Sequence, residues 1–325
     1  MRAAVHTRFG PPEVIRVIEV DRPAPKGDEI LIRVHATTVN RTDCGFRAAK
    51  PAIIRLFAGT TKPRHPILGT EFAGEVEAVG PRVTSFTPGE RVFGYDERTF
   101  GAHAEYMAIS ERRAVATIPP DMTYEEVAPA TEGAHYALGF IRKAGIHSGH
   151  DVLVYGATGG IGSAAVKLIK NLGATVTAVC GTDHTELVAG LGADRVVDYM
   201  TQDFTKDEQR YDVVLDAVGK SSFRDCKPLL KPRGIYLSSE LGPRGQNPFL
   251  VPLTHVFGGK RVKFPLPRYN KRMIEELKRL MAAGAFTPLI DRVFPLDEIV
   301  DAYRYVESGR KIGNVVIRVG PAVEV

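Results

Sequence analysis

The 325-residue chain is 44% hydrophobic and 25% charged, an ordinary globular composition whose length suits two domains. No apolar run approaches the roughly 20 residues that cross a bilayer, and the N-terminus lacks the apolar core of a signal peptide. The net charge of +5 comes from scattered basic residues without a helical basic stripe, which argues against nucleic-acid or membrane partners.

The chain has three cysteines, Cys44, Cys180 and Cys226, without CxxC spacing. An odd number makes a poor disulfide framework and fits a reducing compartment, so we expect a cytoplasmic protein. No Cys and His cluster has the spacing of a structural metal site, and no bound metal is predicted.

The chain up to about residue 122 predicts an all-β unit. Short runs of alternating apolar residues are separated by Gly and Pro, and the clearest of these runs are 29–39, 71–80 and 90–95. The pattern becomes helical over 119–145, where Thr123 and Glu126 have the spacing of a capping box.

From Asp151 onward, strand and helix patterns alternate. The predicted strands are 151–157, 175–181, 195–199, 211–219 and 234–242. This βαβαβ series predicts an α/β fold with a doubly wound parallel sheet. Two helices (270–284 and 298–309) and a closing strand (314–320) follow, and we expect them to return to the first β unit.

The turn after the first of these strands is rich in glycine and runs from Gly156 to Gly162 as "GATGGIG". Gly159 and Gly160 allow a positive φ and a close backbone approach, and Gly162 lets the helix pack tightly on the sheet. The helix N-terminus would then present free N–H groups to a pyrophosphate. The strand–turn–helix context favours a dinucleotide site over a mere tight turn. The predicted binding residues are Thr158, Gly159, Gly160 and Ile161.

The end of the second strand indicates which dinucleotide binds. An NAD site needs an acid there to bind the ribose 2′-OH, but this strand ends in Cys180-Gly181-Thr182 and Asp183 comes late. The missing acid favours a 2′-phosphate and predicts that NADPH binds more tightly than NADH. The polar groups that could surround this phosphate are Thr182, His184 and Tyr199.

Recognisable motifs extend along nearly the whole chain, namely "ATTVNRTD", "PILGTEFAGEVEAVG", "GERVFGY", "GAHAEYMAI", "GATGGIGSAAVKLIKNLGA", "LGADRVVDY", "YDVVLDAVG" and "GNVVI". Together they resemble the medium-chain dehydrogenase/reductase superfamily, in its zinc-independent, zeta-crystallin-like quinone-oxidoreductase branch. The resemblance implies a discontinuous GroES-like catalytic domain over 1–123 and 264–325, and a Rossmann NADP-binding domain over 124–263.

The departures from the superfamily pattern bear on the reaction. In zinc alcohol dehydrogenases the positions that match Asn40 and Thr70 hold Cys and His ligands, and His103 and His135 do not rebuild that site. Without a Lewis acid an ordinary alcohol is hard to oxidise, whereas a quinone or an α,β-unsaturated carbonyl accepts hydride readily. The leading hypothesis is therefore an NADPH-dependent reductase of such small molecules. The alternatives are an alcohol or aldehyde dehydrogenase and a non-catalytic, crystallin-like NADPH-binding protein.

The resemblance also implies catalytic residues. Asn40 matches an Asn near the nicotinamide and is predicted to donate to a developing oxyanion, unless it merely caps the next segment. Thr131 could orient the carboxamide or a water, or cap a helix. Asp43 could act in catalysis, cap a helix or bond across domains. A Tyr found in some relatives is replaced by Gly45, which leaves solvent as the proton source.

Further positions follow from the same resemblance. Val218 and Gly219 would border the nicotinamide ribose, and Asn314 would approach a cofactor phosphate where many relatives have Lys. The apolar segment 52–59 is either a lid over the acceptor pocket or a small packed helix. The segment 260–268, "KRVKFPLPR", matches the place where relatives pair sheets and predicts a homodimer, although its prolines limit regular pairing.

Overall fold

The chain divides into a β-rich unit and an α/β unit, each built on its own sheet. The computed structural model describes residues 1–256, 258–265 and 269–320. The first unit, the β unit, contains Met1–Glu132, Tyr269–Ala283 and the chain from Thr287 onward, and the second, the α/β unit, contains the segment that begins at Gly133 together with Gly284–Phe286.

The first change of unit falls after Glu132, whereas the sequence placed it after residue 123. The intervening segment stays with the β unit because the backbone N–H groups of Thr131 and Glu132 donate to the carboxylate of Glu71. A local helical pattern could not reveal this long-range anchor.

The strands of the described residues form one large sheet in each unit, and the first two strands form a separate antiparallel pair. In chain order they are β1 (Arg2–His6), β2 (Ile15–Glu19), β3 (Glu29–Val39), β4 (Glu71–Val79), β5 (Arg91–Tyr95), β6 (Tyr106–Ser110), β7 (Ala114–Thr117), β8 (Asp151–Tyr155), β9 (Thr175–Cys180), β10 (Arg195–Asp198), β11 (Tyr211–Asp216), β12 (Leu230–Ser238), β13 (Arg261–Lys263), β14 (Ile290–Pro295) and β15 (Asn314–Arg318).

The α-helices of the same residues lie between these strands. They are α1 (Arg41–Ala48), α2 (Arg55–Ala58), α3 (Tyr124–Val127), α4 (Glu132–Ala144), α5 (Gly160–Asn171), α6 (Thr185–Gly190), α7 (Phe223–Cys226), α8 (Asn247–Val256), α9 (Lys271–Ala282) and α10 (Ile299–Glu307). Among the described residues, none of them has the length and apolar character required to cross a membrane.

The sheet of the β unit brings the end of β3 next to the start of β4. Its strand order is β14-β15-β3-β4-β5-β7, with β6 also on β3, and β3 pairs antiparallel with β4 so that Thr37 lies opposite Phe72. Buried apolar side chains such as Ile32 and Val315 fill its core. Asn40 directly follows β3 and Thr70 directly precedes β4, so the two residues meet at one edge of this sheet.

The sheet of the α/β unit is entirely parallel. Its order, β10-β9-β8-β11-β12-β13, is 3-2-1-4-5-6 when its strands are counted along the chain, which is the order of a Rossmann sheet. The predicted doubly wound α/β fold is therefore confirmed. Ligands of such sheets bind outside the carboxyl ends of the strands, where β8 and β11 lie side by side.

The apolar segment 52–59 forms a short helix, but the helix is not packed. Its residues make a 3-10 turn and then α2, and Ala58 is buried. Three apolar side chains are more than half exposed, namely Ile53, Leu56 and Phe57. Of the two alternatives, a lid or a small packed helix, the structure shows a small helix with three largely exposed apolar side chains, and a role as a lid stays a prediction.

Candidate active site

Asn40 and Thr70 form a buried hydrogen-bonded pair. Asn40 Nδ2 lies 2.7 Å from Thr70 Oγ1, and the two residues are 5% and 1% exposed. Asn40 also caps α1, because its Oδ1 accepts the Asp43 N–H at 3.0 Å while the Asp43 carboxylate accepts the Asn40 N–H at 3.1 Å. The side chain of Asn40 was predicted either to act in catalysis or to cap the next segment. It caps α1, and this cap also holds the amide in place.

Asp43 is completely buried, and both of its carboxyl oxygens accept backbone N–H groups. The second N–H comes from Gly69 at 3.0 Å. Burial raises the pKa of Asp43 to about 8, although the N–H groups of Asn40 and Gly69 act in the opposite direction. Asp43 therefore holds the start of α1 against the segment before β4, and its catalytic role stays a prediction.

His103 packs beside this cap as a neutral ring. Its Nε2 donates to the Thr38 carbonyl oxygen at 2.8 Å and lies 4.0 Å from Asp43 Oδ2, and the Tyr303 hydroxyl is 3.4 Å from Nδ1. Burial lowers the pKa of His103 to about 4. Its hydrogen bonds within the β unit give His103 a structural role.

Glu71, the first residue of β4, accepts four hydrogen bonds. Oε2 accepts the Thr38 hydroxyl at 2.6 Å, and Oε1 accepts the Thr131 hydroxyl at 2.7 Å, the Thr131 N–H at 3.0 Å and the Glu132 N–H at 2.6 Å. Burial raises the pKa of Glu71, while these donors favour its carboxylate. The carboxylate joins β3, β4 and the start of α4, so Asn40, Asp43 and Thr131 belong to one buried polar group.

Three further residues of this polar group were missed from the sequence. Glu132 Oε1 accepts the Thr42 hydroxyl at 2.8 Å. Burial raises the pKa of Glu132 well above its usual range, and the nearby charges of Glu71 and Asp43 add to that effect. The positive charge of Lys311 opposes this rise in the pKa of Glu132, and burial lowers the pKa of Lys311 itself. These residues lie far apart in the chain, and no local pattern indicates that they meet.

The glycine turn of the α/β unit fits a pyrophosphate, with a change in the expected roles of its glycines. Gly156 has the positive φ, +83°, whereas Gly159 has a φ of −75° as the N-cap of α5, so the expected positive φ at Gly159 and Gly160 is wrong. A Cβ on Gly162 would lie 2.1 Å from the Gly156 carbonyl oxygen, and one on Gly133 would lie 2.5 Å from that of Gly160. Close backbone packing therefore requires these glycines.

The N-terminus of α5 has no cap within the described residues. Its N-cap residue Gly159 has no side chain, and Thr158 and Ile161 lie half-buried around the same turn. The first N–H groups of a helix have no partner inside the helix, so they and the helix dipole favour an anion at this position. The turn therefore fits the pyrophosphate of a dinucleotide.

The other predicted cofactor residues of this unit lie at the carboxyl ends of β9, β10 and β11. Thr182 follows β9 and donates through its hydroxyl to Asp198 at 2.6 Å. Tyr199 follows β10, and its hydroxyl covers Gly181. His184 is half-buried in the turn before α6. The sequence did not indicate that the carboxylate of Asp198 would lie beside Thr182.

Asp216 orders the loop after β11. Its Oδ1 accepts the N–H groups of Val218 at 3.1 Å and Gly219 at 2.7 Å, and its Oδ2 accepts the Ser221 N–H and hydroxyl. Val218 in turn lies against Gly156, where a Cβ would come within 2.5 Å of the valine side chain. Asp216 is thus a supporting residue, missed from the sequence, that holds the predicted pair Val218 and Gly219 beside the glycine turn.

Asn314 lies in the β unit at the start of β15. Its side-chain Nδ2 and its backbone N–H both lie 2.9 Å from the Leu289 carbonyl oxygen. The amide is therefore engaged in pairing β15 with the chain before β14. Its proposed approach to a cofactor phosphate stays a prediction.

The residues at the zinc-ligand positions do not fit zinc. Zinc in proteins is held by thiolate, imidazole and carboxylate groups, whereas Asn40 and Thr70 are a neutral amide and a hydroxyl bonded to each other. Across residues 1–256, 258–265 and 269–320, no group of three or more His, Cys, Asp or Glu side chains is arranged to hold a metal ion.

Two family models match the chain. Residues 26–120 match the alcohol dehydrogenase GroES-like domain, and residues 191–317 match a domain described as zinc-binding dehydrogenase. The arrangement of a GroES-like domain and a Rossmann sheet with a dinucleotide-type turn defines the class of the protein as an oxidoreductase.

Similar proteins define its family. The chain is 31% identical to the 2-methylene-furan-3-one reductase of Solanum lycopersicum, over 98% of this chain and 79% of the relative. It is 30% identical to a chloroplastic quinone-oxidoreductase homolog of Spinacia oleracea, over 95% of each. The solved quinone oxidoreductase of Coxiella burnetii has a TM-score of 0.88 at 25% identity, over 98% of this chain and 99% of that one. The chain belongs to the medium-chain dehydrogenase/reductase superfamily, in its quinone-oxidoreductase-like branch.

Proposed function

We propose that the protein is an NADPH-dependent reductase that transfers hydride to a quinone or an α,β-unsaturated carbonyl compound without zinc. The observation that carries this proposal is the hydrogen bond between Asn40 and Thr70. It shows that the two zinc-ligand positions hold neutral hydrogen-bond donors. Such donors suit an acceptor that is already electrophilic. The names of relatives support the same substrate class, including an NADPH-dependent alkenal/one oxidoreductase of Arabidopsis thaliana at 28% identity.

In this proposal the chain binds, orients and shields the reactants. The α5 N-terminus and the glycine turn hold the pyrophosphate, and the loop ordered by Asp216 borders the nicotinamide ribose. The bound cofactor supplies the hydride. The polar group around Asn40 stabilises the negative charge that develops on the acceptor oxygen. Alignment of the two reactants accounts for much of the rate enhancement.

Preference for NADPH is the finer part of the proposal. The end of β9 has no acid for a ribose 2′-OH, and the hydroxyls of Thr182 and Tyr199 flank Gly181. The carboxylate of Asp198, which accepts the Thr182 hydroxyl, would repel a 2′-phosphate. We therefore propose that NADPH is preferred and that Asp198 limits the margin over NADH.

The test is a titration of the metal-free protein with NADPH and NADH, followed by addition of 9,10-phenanthrenequinone or a simple enone. Oxidation of NADPH by either acceptor supports the proposal. Tight binding without oxidation by any acceptor would favour a non-catalytic NADPH-binding protein. Activity restricted to simple alcohols, with zinc retained through purification, would favour an alcohol dehydrogenase.

A homodimer in the cytosol completes the proposal. In the α/β unit, β13 is the edge strand of the sheet, and α8 precedes it with Phe249, Leu253 and Val256 all more than half exposed. An unpaired edge strand and exposed apolar side chains favour association with a second copy. The last three residues of the predicted pairing segment 260–268 lie outside the described residues. The buried, unpaired cysteines support a reducing compartment.

A further inference from the structure

The side-chain amide of Asn40 has only one orientation that suits its neighbours. The Asp43 N–H lies 3.0 Å from Oδ1, and because a backbone N–H can only donate, the amide oxygen must face it. Nδ2 consequently faces Thr70 Oγ1 and donates to it at 2.7 Å. The direction of this hydrogen bond therefore follows from the helix cap.

The hydroxyl hydrogen of Thr70 is left without an acceptor. Because Oγ1 receives the Asn40 hydrogen, its own hydrogen must point elsewhere, and no described residue accepts it. Thr70 is only 1% exposed. Buried donors in native proteins are nearly always paired, and an unpaired one at a candidate site indicates that a ligand or a water completes it.

The geometry points to the Thr70 hydroxyl as the group that donates a hydrogen bond to the carbonyl oxygen of the acceptor. The hydrogen bond from Asn40 polarises Oγ1–H and makes it a stronger donor. A donor held in place before the reaction stabilises the negative charge that develops on that oxygen. This inference rests on the proposed reductase function, and it makes Asn40 the residue that positions and polarises Thr70.

The hydroxyl replaces the polarising role that zinc has in other members of the superfamily. The acceptor gains a hydride at carbon, supplied as bound NADPH is oxidised to NADP⁺, and a proton from water. Thr70 keeps its hydrogen throughout, so no base has to restore it. The second Nδ2 hydrogen of Asn40 points away from the hydrogen that Asn40 donates to Thr70. Asn40 and Thr70 therefore do not both donate to the acceptor oxygen.

The first test compares Thr70→Val, which removes the hydroxyl at nearly constant shape, with Thr70→Ser, which keeps it. We expect Thr70→Val to lower kcat for an enone on the order of 100-fold with an unchanged Kd for NADPH. The loss for 9,10-phenanthrenequinone should be smaller, because a hydroquinone anion is more stable than an enolate. Thr70→Ser should restore most of the enone rate.

Thr37→Val is the matched control. Thr37 is 0% exposed and donates its hydroxyl to the Glu71 carbonyl oxygen at 2.6 Å, so the same change removes a structural hydrogen bond. We expect it to lower the free energy of unfolding and to leave kcat close to that of the unmodified protein. A Thr70→Val protein that reduces the enone within about twofold of the normal rate would overturn the inference, since a lost oxyanion donor costs far more.

A second readout does not depend on turnover. The saturated ketone product, bound with NADP⁺, should show a carbonyl stretch at lower frequency in the unmodified and Thr70→Ser proteins, and Thr70→Val should lose this shift. Equal frequencies in the unmodified and Thr70→Val proteins would contradict a donor role. If no acceptor oxidises NADPH, the reductase function itself fails, and the carbonyl shift alone decides the role of Thr70.

Discussion

At the scale of single residues, Glu71 is the most heavily bonded side chain of the candidate site. Its four partners are all donors, so Glu71→Gln would place an amide N–H against one of them. We expect the free energy of unfolding, measured in urea, to fall by about 3 kcal/mol. Glu77→Gln, on the same strand in a solvent-accessible pair with Arg22, should cost less than about 1 kcal/mol. Equal losses in the two variants would contradict this role for Glu71.

His103 predicts how stability changes with acid. Its pKa is about 4 in the folded protein against 6.5 when unfolded, so the unfolded chain binds the extra proton first as the pH falls. The contribution of His103 to the free energy of unfolding should therefore be lost below pH 6.5, with a slope that approaches about 1.4 kcal/mol per pH unit until the pH nears 4. The hydrogen bond to the Thr38 carbonyl oxygen opposes this lowering of the His103 pKa, and the nearby His6 adds to it.

One substitution isolates this effect. His103→Gln should show a shallower loss of unfolding free energy between pH 6.5 and pH 4 than the unmodified protein. The pKa of Asp43 is raised to about 8, so its contribution has the opposite sign and falls as the pH rises from about 4 to 8. If the free energy of unfolding changes with pH equally in His103→Gln and in the unmodified protein, this role of His103 is ruled out.

The residues that the sequence revealed differ in kind from those it missed. Asn40 and the glycine turn were found because their neighbours in the chain form recognisable motifs. Glu132 and Lys311 are 179 positions apart by their numbers and interact only because both lie near Glu71 within the β unit. The pattern of a single sequence reveals hydrophobic periodicity and turn residues, but it does not reveal contacts between residues that are far apart in the chain.

At the scale of elements, the glycine turn and α5 depend on one close contact. A Cβ at Gly162 would lie 2.1 Å from the Gly156 carbonyl oxygen, whereas one at Gly159 has its nearest neighbour at 3.6 Å. Gly162→Ala should therefore lower the free energy of unfolding by about 1–3 kcal/mol and weaken NADPH binding. Gly159→Ala should change the free energy of unfolding by less than about 0.5 kcal/mol. Urea titrations of both variants, with calorimetric NADPH binding for the first, check these outcomes.

Prediction of elements succeeded where the hydrophobic period was strong. The parallel strands from β8 to β12 and helices α5, α9 and α10 all lie within the predicted segments or overlap them. Helices α1 and α8 and strand β14 were missed. α1 is a short helix with few apolar residues, α8 contains Pro252, and β14 pairs parallel with β15 at a sheet edge, where burial is incomplete.

At the scale of the whole molecule, the proposed homodimer predicts a change in mass in solution. Phe249 is 77% exposed on α8, so Phe249→Glu should leave the fold intact but place a charge in the proposed interface. We expect light scattering to show the monomer at concentrations where the unmodified protein is a dimer. Phe57→Glu, at an equally apolar exposed position in the β unit, should remain dimeric. A dimeric Phe249→Glu protein would place the interface elsewhere.

The three cysteines have a consequence for an enzyme that handles electrophiles. Quinones and enones add to thiolates, the reactive form of cysteine. Cys44, Cys180 and Cys226 are all buried, and burial raises their pKa values, to about 11 for Cys180 and about 12 for Cys226. Their side chains therefore stay as enclosed, protonated thiols at neutral pH. Under the proposed function, the cysteines of the protein are protected from addition by the compounds that it reduces.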